Sequence, residues 1–188
     1  MHKQKAIADL MDHYGTAVLQ LAYSYVRDRQ TAEDLAQEIF FKCYQKYDTF
    51  QGNAQIQTWL FRVASNHCKD YLKSWHHKKV FVSNYLSSFL TNHQSSPENE
   101  LIKSAENQEL TEALFKLPVK YREILFLFYF QECSLKEISE ISGLNLNTVK
   151  SRLSRAKTLL KEILQERSGE DGETNEGVKG ETIKGRIG

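Results

Sequence analysis

The chain has 188 residues, enough for one ordinary domain or two small ones. Its 25 Lys and Arg stand against 24 Asp and Glu, a net charge of +1, which excludes a uniformly basic, histone-like protein and leaves any nucleic-acid role to local charge. A hydrophobic content of 40% supplies a core, while a mean hydropathy of -0.54 marks a soluble chain, so global disorder is excluded as well.

Turn-formers are scarce before the tail: Gly15, Gly52, Gly143, Pro97 and Pro118 are the only glycines and prolines ahead of Arg167. That distribution predicts an all-α body. The three cysteines, Cys43, Cys68 and Cys133, are odd in number and far apart in sequence, as suits reduced, buried thiols rather than a disulfide framework. Asp9 and Asp12 interrupt the N-terminus too early for a signal-peptide core, and no apolar run approaches the roughly 20 residues needed to span a bilayer. A cytoplasmic location is expected.

Apolar residues recur at helical spacing from about 4 to 26, with Ile7, Leu10, Met11, Tyr14, Val18, Leu21, Ala22 and Tyr25 on one stripe. Thr31, with Asp34 three residues later, predicts the start of a second helix whose Leu35, Ile39, Cys43 and Tyr47 share a face. Its approaches carry Asp28, Glu33, Asp34, Glu38 and Asp48, an acidic surface that is either solvated or a protein-docking face. A loop at Phe50-Gln51-Gly52-Asn53 precedes a third helix over about 55–77, with Ile56, Leu60, Val63 and Ala64 inward. Residues 80–106, rich in Ser and Asn and containing Pro97, predict a flexible linker, with a short helix near Tyr85–Leu90.

Helical spacing resumes over 107–115 and 118–131, with Pro118 suited to a first turn. The apolar run Ile124–Phe130 would also read as a strand, but no partner strand exists elsewhere. Ser134 and Glu137 have the form of a capping box, and Gly143 suits a left-handed helix end. A last helix from Asn145 buries Val149, Leu153, Ala156 and Leu160, which completes a helix-turn-helix. After Arg167 the Gly-rich tail, 167–188, lacks large apolar groups and is expected to be disordered.

Charge separates along the chain. Residues 145–161 carry Lys150, Arg152, Arg155, Lys157 and Lys161 with no acid, and Asn147, Thr148, Ser151, Arg152 and Arg155 form a stripe opposite Val149 and Leu153. Arginines for guanine edges or phosphates, with short polar groups between them, match major-groove reading. A second basic stretch holds Arg62, Lys69, Lys73, Lys78 and Lys79 among Phe50, Trp59, Phe61, Tyr71 and Trp75. Cations beside rings suit single-stranded DNA, although an amphipathic helix with aromatic core residues would look the same.

Several ordered segments resemble the extracytoplasmic-function sigma factors of the sigma-70 superfamily. In the first half these are Ala32-Glu-Asp-Leu-Ala-Gln-Glu-Ile-Phe-Phe-Lys-Cys-Tyr44 and Thr58-Trp-Leu-Phe-Arg-Val-Ala-Ser-Asn66; in the second they are Leu117-Pro118, Tyr121-Arg122-Glu123 and Thr148-Val-Lys-Ser-Arg-Leu-Ser-Arg-Ala-Lys157. Ser154 stands where members often carry a larger residue, and Cys133 where Gly is common.

The resemblance implies two small helical domains joined by a flexible linker: residues 1–79 as the three-helix region 2, 80–106 as linker and 107–166 as the helix-turn-helix region 4. It implies core RNA polymerase as partner, docked through Asp34, Leu35, Gln37, Glu38 and Phe41. Promoter DNA is the second partner. Its upstream (-35) element would be read as duplex by Asn147, Thr148, Lys150, Ser151, Arg152, Arg155 and Lys157, and its downstream (-10) element would be melted and held by Phe50, Asn53, Gln55, Trp59, Arg62, Asn66, Lys69 and Lys73. It further implies a membrane-anchored anti-sigma factor clamped between the domains, a role in stress response, no catalytic residues, no cofactor or metal, and no stable homo-oligomer.

Two other readings differ in class. A helix-turn-helix regulator that is not a polymerase subunit would explain residues 107–165 alone. A metal-dependent helical enzyme would use His67, Cys68, His76 and His77, but adjacent residues diverge by about 100° on a helix and only Asp70 offers a further ligand at helical spacing.

Overall fold

A computed structural model describes the backbone of residues 2–50, 52, 54–83 and 105–173, and every regular element among them is helical. In the first half, α1 (His2–Val26), α2 (Arg29–Lys46) and α3 (Ile56–Ser83) pack together, with one 3-10 turn at Tyr47–Thr49 after α2. Leu21, Leu35, Ile39, Leu60 and Phe61 are fully buried there, and the Phe61 ring lies edge-on to Tyr14 at 6.2 Å. Each such side chain contributes about 1.5–3 kcal/mol by leaving water. Met11, expected on the inner stripe of α1, is instead 49% exposed, because it sits at the margin of the apolar arc.

The turn between α1 and α2 differs in detail from the sequence expectation. Arg27 takes the left-handed conformation at φ 60°, a helix-ending role usual for glycine, and donates its backbone N–H to Tyr23 O. Asp28 then caps α2 by accepting from the Thr31 N–H at 2.8 Å, so the helix opens before Thr31 rather than at it. An extended Asp28 reaches back to the free amides as well as a threonine would.

In the second half the elements are α4 (Ala105–Lys116), α5 (Val119–Leu125), α6 (Leu135–Ser142) and α7 (Leu146–Glu173). Pro118 caps α5 from outside rather than occupying its first turn, its carbonyl accepting from Tyr121 and Arg122. The apolar run beyond Leu125 is helical but widens into a π turn at Phe126–Phe130, which directs Tyr129 and Phe130 to solvent while Phe126 and Leu127 stay buried.

The α6–α7 pair forms as the sequence predicts. Ser134 and Glu137 make a reciprocal capping box, and Gly143 ends α6 at φ 71°. Asn145 Oδ1 accepts the Thr148 N–H at 2.8 Å to start α7. Ile138, Ile141, Val149, Leu153 and Ala156 are buried between these helices and α5, whereas Leu160 is half-buried.

Three helices outrun their expected ends. The backbone of α3 continues to Ser83, α4 begins at Ala105, and α7 continues past Arg167 to Glu173. The expected helix at 85–90 and the tail from 174 lie outside the described residues. The two halves also touch: α3 packs on α6, α1 on α5, and their buried side chains form one connected cluster.

Candidate nucleic-acid interface

The recognition stripe on α7 is assembled by local chemistry. Val149, Leu153 and Ala156 bury one side of the helix, which turns Asn147, Thr148, Ser151, Arg152 and Arg155 outward. Asn147, Ser151 and Arg155 are exposed, Thr148 and Arg152 half-exposed, and no described ion pair engages either arginine. Lys150 and Lys157 fall on a different flank of α7 from Arg152 and Arg155. Lys157 Nζ lies 5.3 Å from the Phe128 ring centre and 5.4 Å from that of Tyr129, a cation–π position away from the stripe.

A second basic stripe runs along α3. Arg62, Asn66, Lys69 and Lys73 follow at helical spacing, with Asn66 and Lys73 exposed. Arg62 Nε donates to the backbone oxygen of Glu140 at 2.8 Å, and its guanidinium stands 3.9 Å from the Glu140 carboxylate. Lys69 Nζ lies 2.8 Å from Glu123 Oε1, and Lys73 stands 3.5 Å from Asp70. Two of these four positions, Arg62 and Lys69, are thus paired with residues of the second half of the chain.

Trp59 is half-buried, with the Phe50 ring 5.4 Å and the Tyr47 ring 6.4 Å away. It belongs to the edge of the core, with Phe50 leaning on it. Gly52 is in the left-handed conformation at φ 71° and Gln55 is exposed; Asn53 lies outside the described residues.

The acidic helix α2 presents Asp34, Gln37, Glu38 and Phe41 outward at i, i+3, i+4 and i+7, and Phe41 is 62% exposed. An unshielded phenyl ring among carboxylates has the composition of a protein-docking face. Leu35, assigned to that face in the sequence, is 2% exposed and packs in the core, because it lies one residue off the outward stripe. The Glu38 carboxylate reaches His67 Nε2 at 2.7 Å, which fixes it against α3.

Where the halves meet, α1, α3 and α5 enclose a polar cluster that sequence reading missed. Glu123 is 2% and Arg122 6% exposed. Burial, then the charge of Glu123, raises Tyr25 well above the ordinary phenol value. Burial, then the charge of Arg27, lowers Arg122 to about 10. Arg27 and Arg122 both face the Phe115 ring, at 4.8 and 5.2 Å. The only sequence signal was the charged pair Arg122-Glu123 at the start of an apolar run.

On the other side of the second half, a groove of about 450 Å³ is lined by Leu125, Tyr129, Leu160 and Leu164 with Lys157 and Lys161. No group of three or more His, Cys, Asp or Glu among the described residues is arranged to hold a metal ion. Of the residues weighed as metal ligands, His67 directs Nε2 to Glu38 and Cys68 is a buried thiol. The side chains of His76 and His77 lie outside the described residues. No described helix is long and apolar enough to cross a membrane.

Three bundled helices followed by a helix-turn-helix with a basic outer stripe define an all-helical protein of two parts. Residues 10–77 match the family Sigma-70 region 2, and residues 107–160 match Sigma-70, region 4. The ECF RNA polymerase sigma factor SigW of Bacillus subtilis is 31% identical over 175 residues, spanning 87% of this chain and 91% of that protein. SigM of the same organism is 34% identical over 159 residues, covering 84% and 94%. Among solved structures, the sigma factor RpoE of Bartonella quintana, in complex with the anti-sigma factor NepR, matches with a TM-score of 0.69 at 25% identity, covering 86% of this chain and 98% of that one. The chain belongs to the extracytoplasmic-function sigma factors of the sigma-70 superfamily. It acts with RNA polymerase in transcription initiation and is not itself an enzyme.

Proposed function

We propose that the α7 stripe of Asn147, Thr148, Ser151, Arg152 and Arg155 reads the duplex -35 element. The Phe50–Gln55 loop and the α3 stripe of Arg62, Asn66, Lys69 and Lys73 hold the melted -10 element, and Asp34, Gln37, Glu38 and Phe41 of α2 dock core polymerase. The observation that carries this reading is the acid-free first part of α7, residues 146–161, whose outer stripe is turned to solvent by a capped α6 and a left-handed Gly143. A groove-reading helix needs one rigid partner to orient it, and α6 supplies that support.

Residues 1–79 and 107–166 are the two functional units, and the chain works as a monomer beside polymerase. A membrane-anchored anti-sigma factor clamps between the units. The anti-sigma complex of the Bartonella relative supports an anti-sigma partner, and membrane anchoring is the additional part of this proposal.

Permanganate footprinting of promoter DNA with reconstituted holoenzyme tests the division of labour. Arg152→Ala and Arg155→Ala should lose promoter occupancy, whereas Asn53→Ala should keep occupancy and lose strand opening. Normal opening by the Asn53 variant would make the loop a connector only.

A further inference from the structure

The Glu38 carboxylate on α2 is joined to His67 on α3, whose ring nitrogen Nε2 lies 2.7 Å from Oε2. An ionised carboxylate only accepts, so Nε2 carries the hydrogen and donates it. The two ends of this contact differ in burial: the His67 side chain is 10% exposed and that of Glu38 61%. A donor held in the core thus meets an acceptor that faces outward.

The donor end is rigid. Ala64, one turn before His67, and Cys68 beside it are fully buried, in a helix that packs on both α1 and α2. The acceptor end has no such support of its own, because an exposed glutamate turns freely about its side-chain bonds. Within the outward stripe of α2, Asp34 is reached by Gln30 of the same helix at 3.4 Å, whereas Glu38 is tied to a neighbouring helix. His67 takes one carboxylate oxygen, and a carboxylate accepts through both, so capacity remains for a second donor from outside. Support from behind, with the working group left open in front, is how buried partners orient the groups that meet a ligand.

We infer that His67 is a positioning residue for polymerase docking: it holds the Glu38 carboxylate in place for a basic side chain of core polymerase, without touching the partner itself. This rests on the assignment of α2 to docking. A glutamate ordered only on binding gives up its side-chain freedom at that moment, a loss of about tenfold in affinity; a carboxylate already set in the free chain is spared it.

The test uses the full chain, competing with a fluorescently labelled parent for core polymerase. His67→Leu and His67→Met keep an apolar side chain of similar size in the core and remove the donor. His67→Gln supplies an amide donor in its place, and Glu38→Ala removes the acceptor. Thermal melts of each variant identify one that has unfolded; the flexible Met side chain keeps the test open if Leu does not fit.

Weaker competition by Glu38→Ala, a loss of about tenfold in His67→Leu and His67→Met, and recovery in His67→Gln are the expected results. In the Glu38→Ala background, His67→Leu should make no further difference. Full competition by folded His67→Leu and His67→Met chains, with Glu38→Ala weakened, would overturn the positioning role and leave the docking face standing. Full competition by Glu38→Ala would overturn the docking role of Glu38 and the inference with it. An equal loss from His67→Leu with and without Glu38 would show that the ring acts by packing α2 on α3, and tighter competition by His67→Leu would show that it holds Glu38 away from polymerase; either would overturn the inference.

Discussion

Ser134 and Glu137 hold each other at the start of α6: the Ser134 N–H donates to Glu137 Oε2 at 2.8 Å, and the Glu137 N–H donates to Ser134 Oγ at 3.3 Å. The pair fixes where α6 begins, and through Gly143 it fixes the direction in which α7 leaves. Local capping is thereby linked to the presentation of Arg152 and Arg155.

Ser134→Ala should destabilise the chain by about 1 kcal/mol, the usual cost of a lost cap, measured by urea unfolding. The hydrogen bonds from the Ser134 side chain and backbone hold the Glu137 carboxyl below its ordinary value. A carboxyl lowered on folding stabilises above its unfolded pKa, so this contribution is present at neutral pH and is lost as pH falls through the folded value. The difference between parent and Glu137→Gln should shrink on acidification; a difference that grew would contradict the capping role.

Arg152→Ala and Arg155→Ala should each cost about 1–3 kcal/mol of promoter affinity where the contact is to a base edge. Where it is to a phosphate, the salt dependence should flatten by about one counterion instead. Lys157→Ala should change upstream affinity little, since its ammonium lies over Phe128 and Tyr129. Fluorescence anisotropy with a -35 duplex over a salt series separates these outcomes.

Glu38→Lys should weaken capture by core polymerase while leaving duplex binding through α7 intact. Leu35→Ala should behave differently: the side chain is 2% exposed, so its loss should cost about 2–5 kcal/mol of folding stability. Surface plasmon resonance on immobilised core polymerase, paired with thermal melts, distinguishes them. Selective loss of polymerase binding by a fully stable Leu35→Ala chain would return Leu35 to the docking face.

Burial raises Cys43 to about 12, Cys68 to about 12 with help from the charge of Glu123, and Cys133 to about 11 with help from Glu137. Thiolate is the reactive form, so the native chain should resist a disulfide reagent near neutral pH and titrate all three thiols in denaturant. Rapid native reaction of Cys133 would mark it as a sensor.

The helices were legible because apolar spacing and caps are local. Ser134, Glu137 and Gly143 lie within one short segment, and Val149, Leu153 and Ala156 repeat at the helical period. Smaller errors came from competing local choices: Asp28 took the cap expected of Thr31, and Pro118 served from outside the helix. Leu35 faces the core, which a family segment does not reveal, because it names a helix and not the side of it that faces out. The contact between the two halves was invisible for a different reason. Arg62 and Glu140 are 78 residues apart, and nothing in the local pattern of either says that they meet.

Promoter-directed initiation by the α7 stripe is the central claim. Runoff transcription from a cognate promoter, with purified core polymerase and this chain, tests it most directly. Core polymerase alone should give no specific transcript, the parent chain should give one, and the Arg152→Ala, Arg155→Ala double variant should assemble with polymerase but lose it. A specific transcript from the double variant equal to that of the parent would contradict the account.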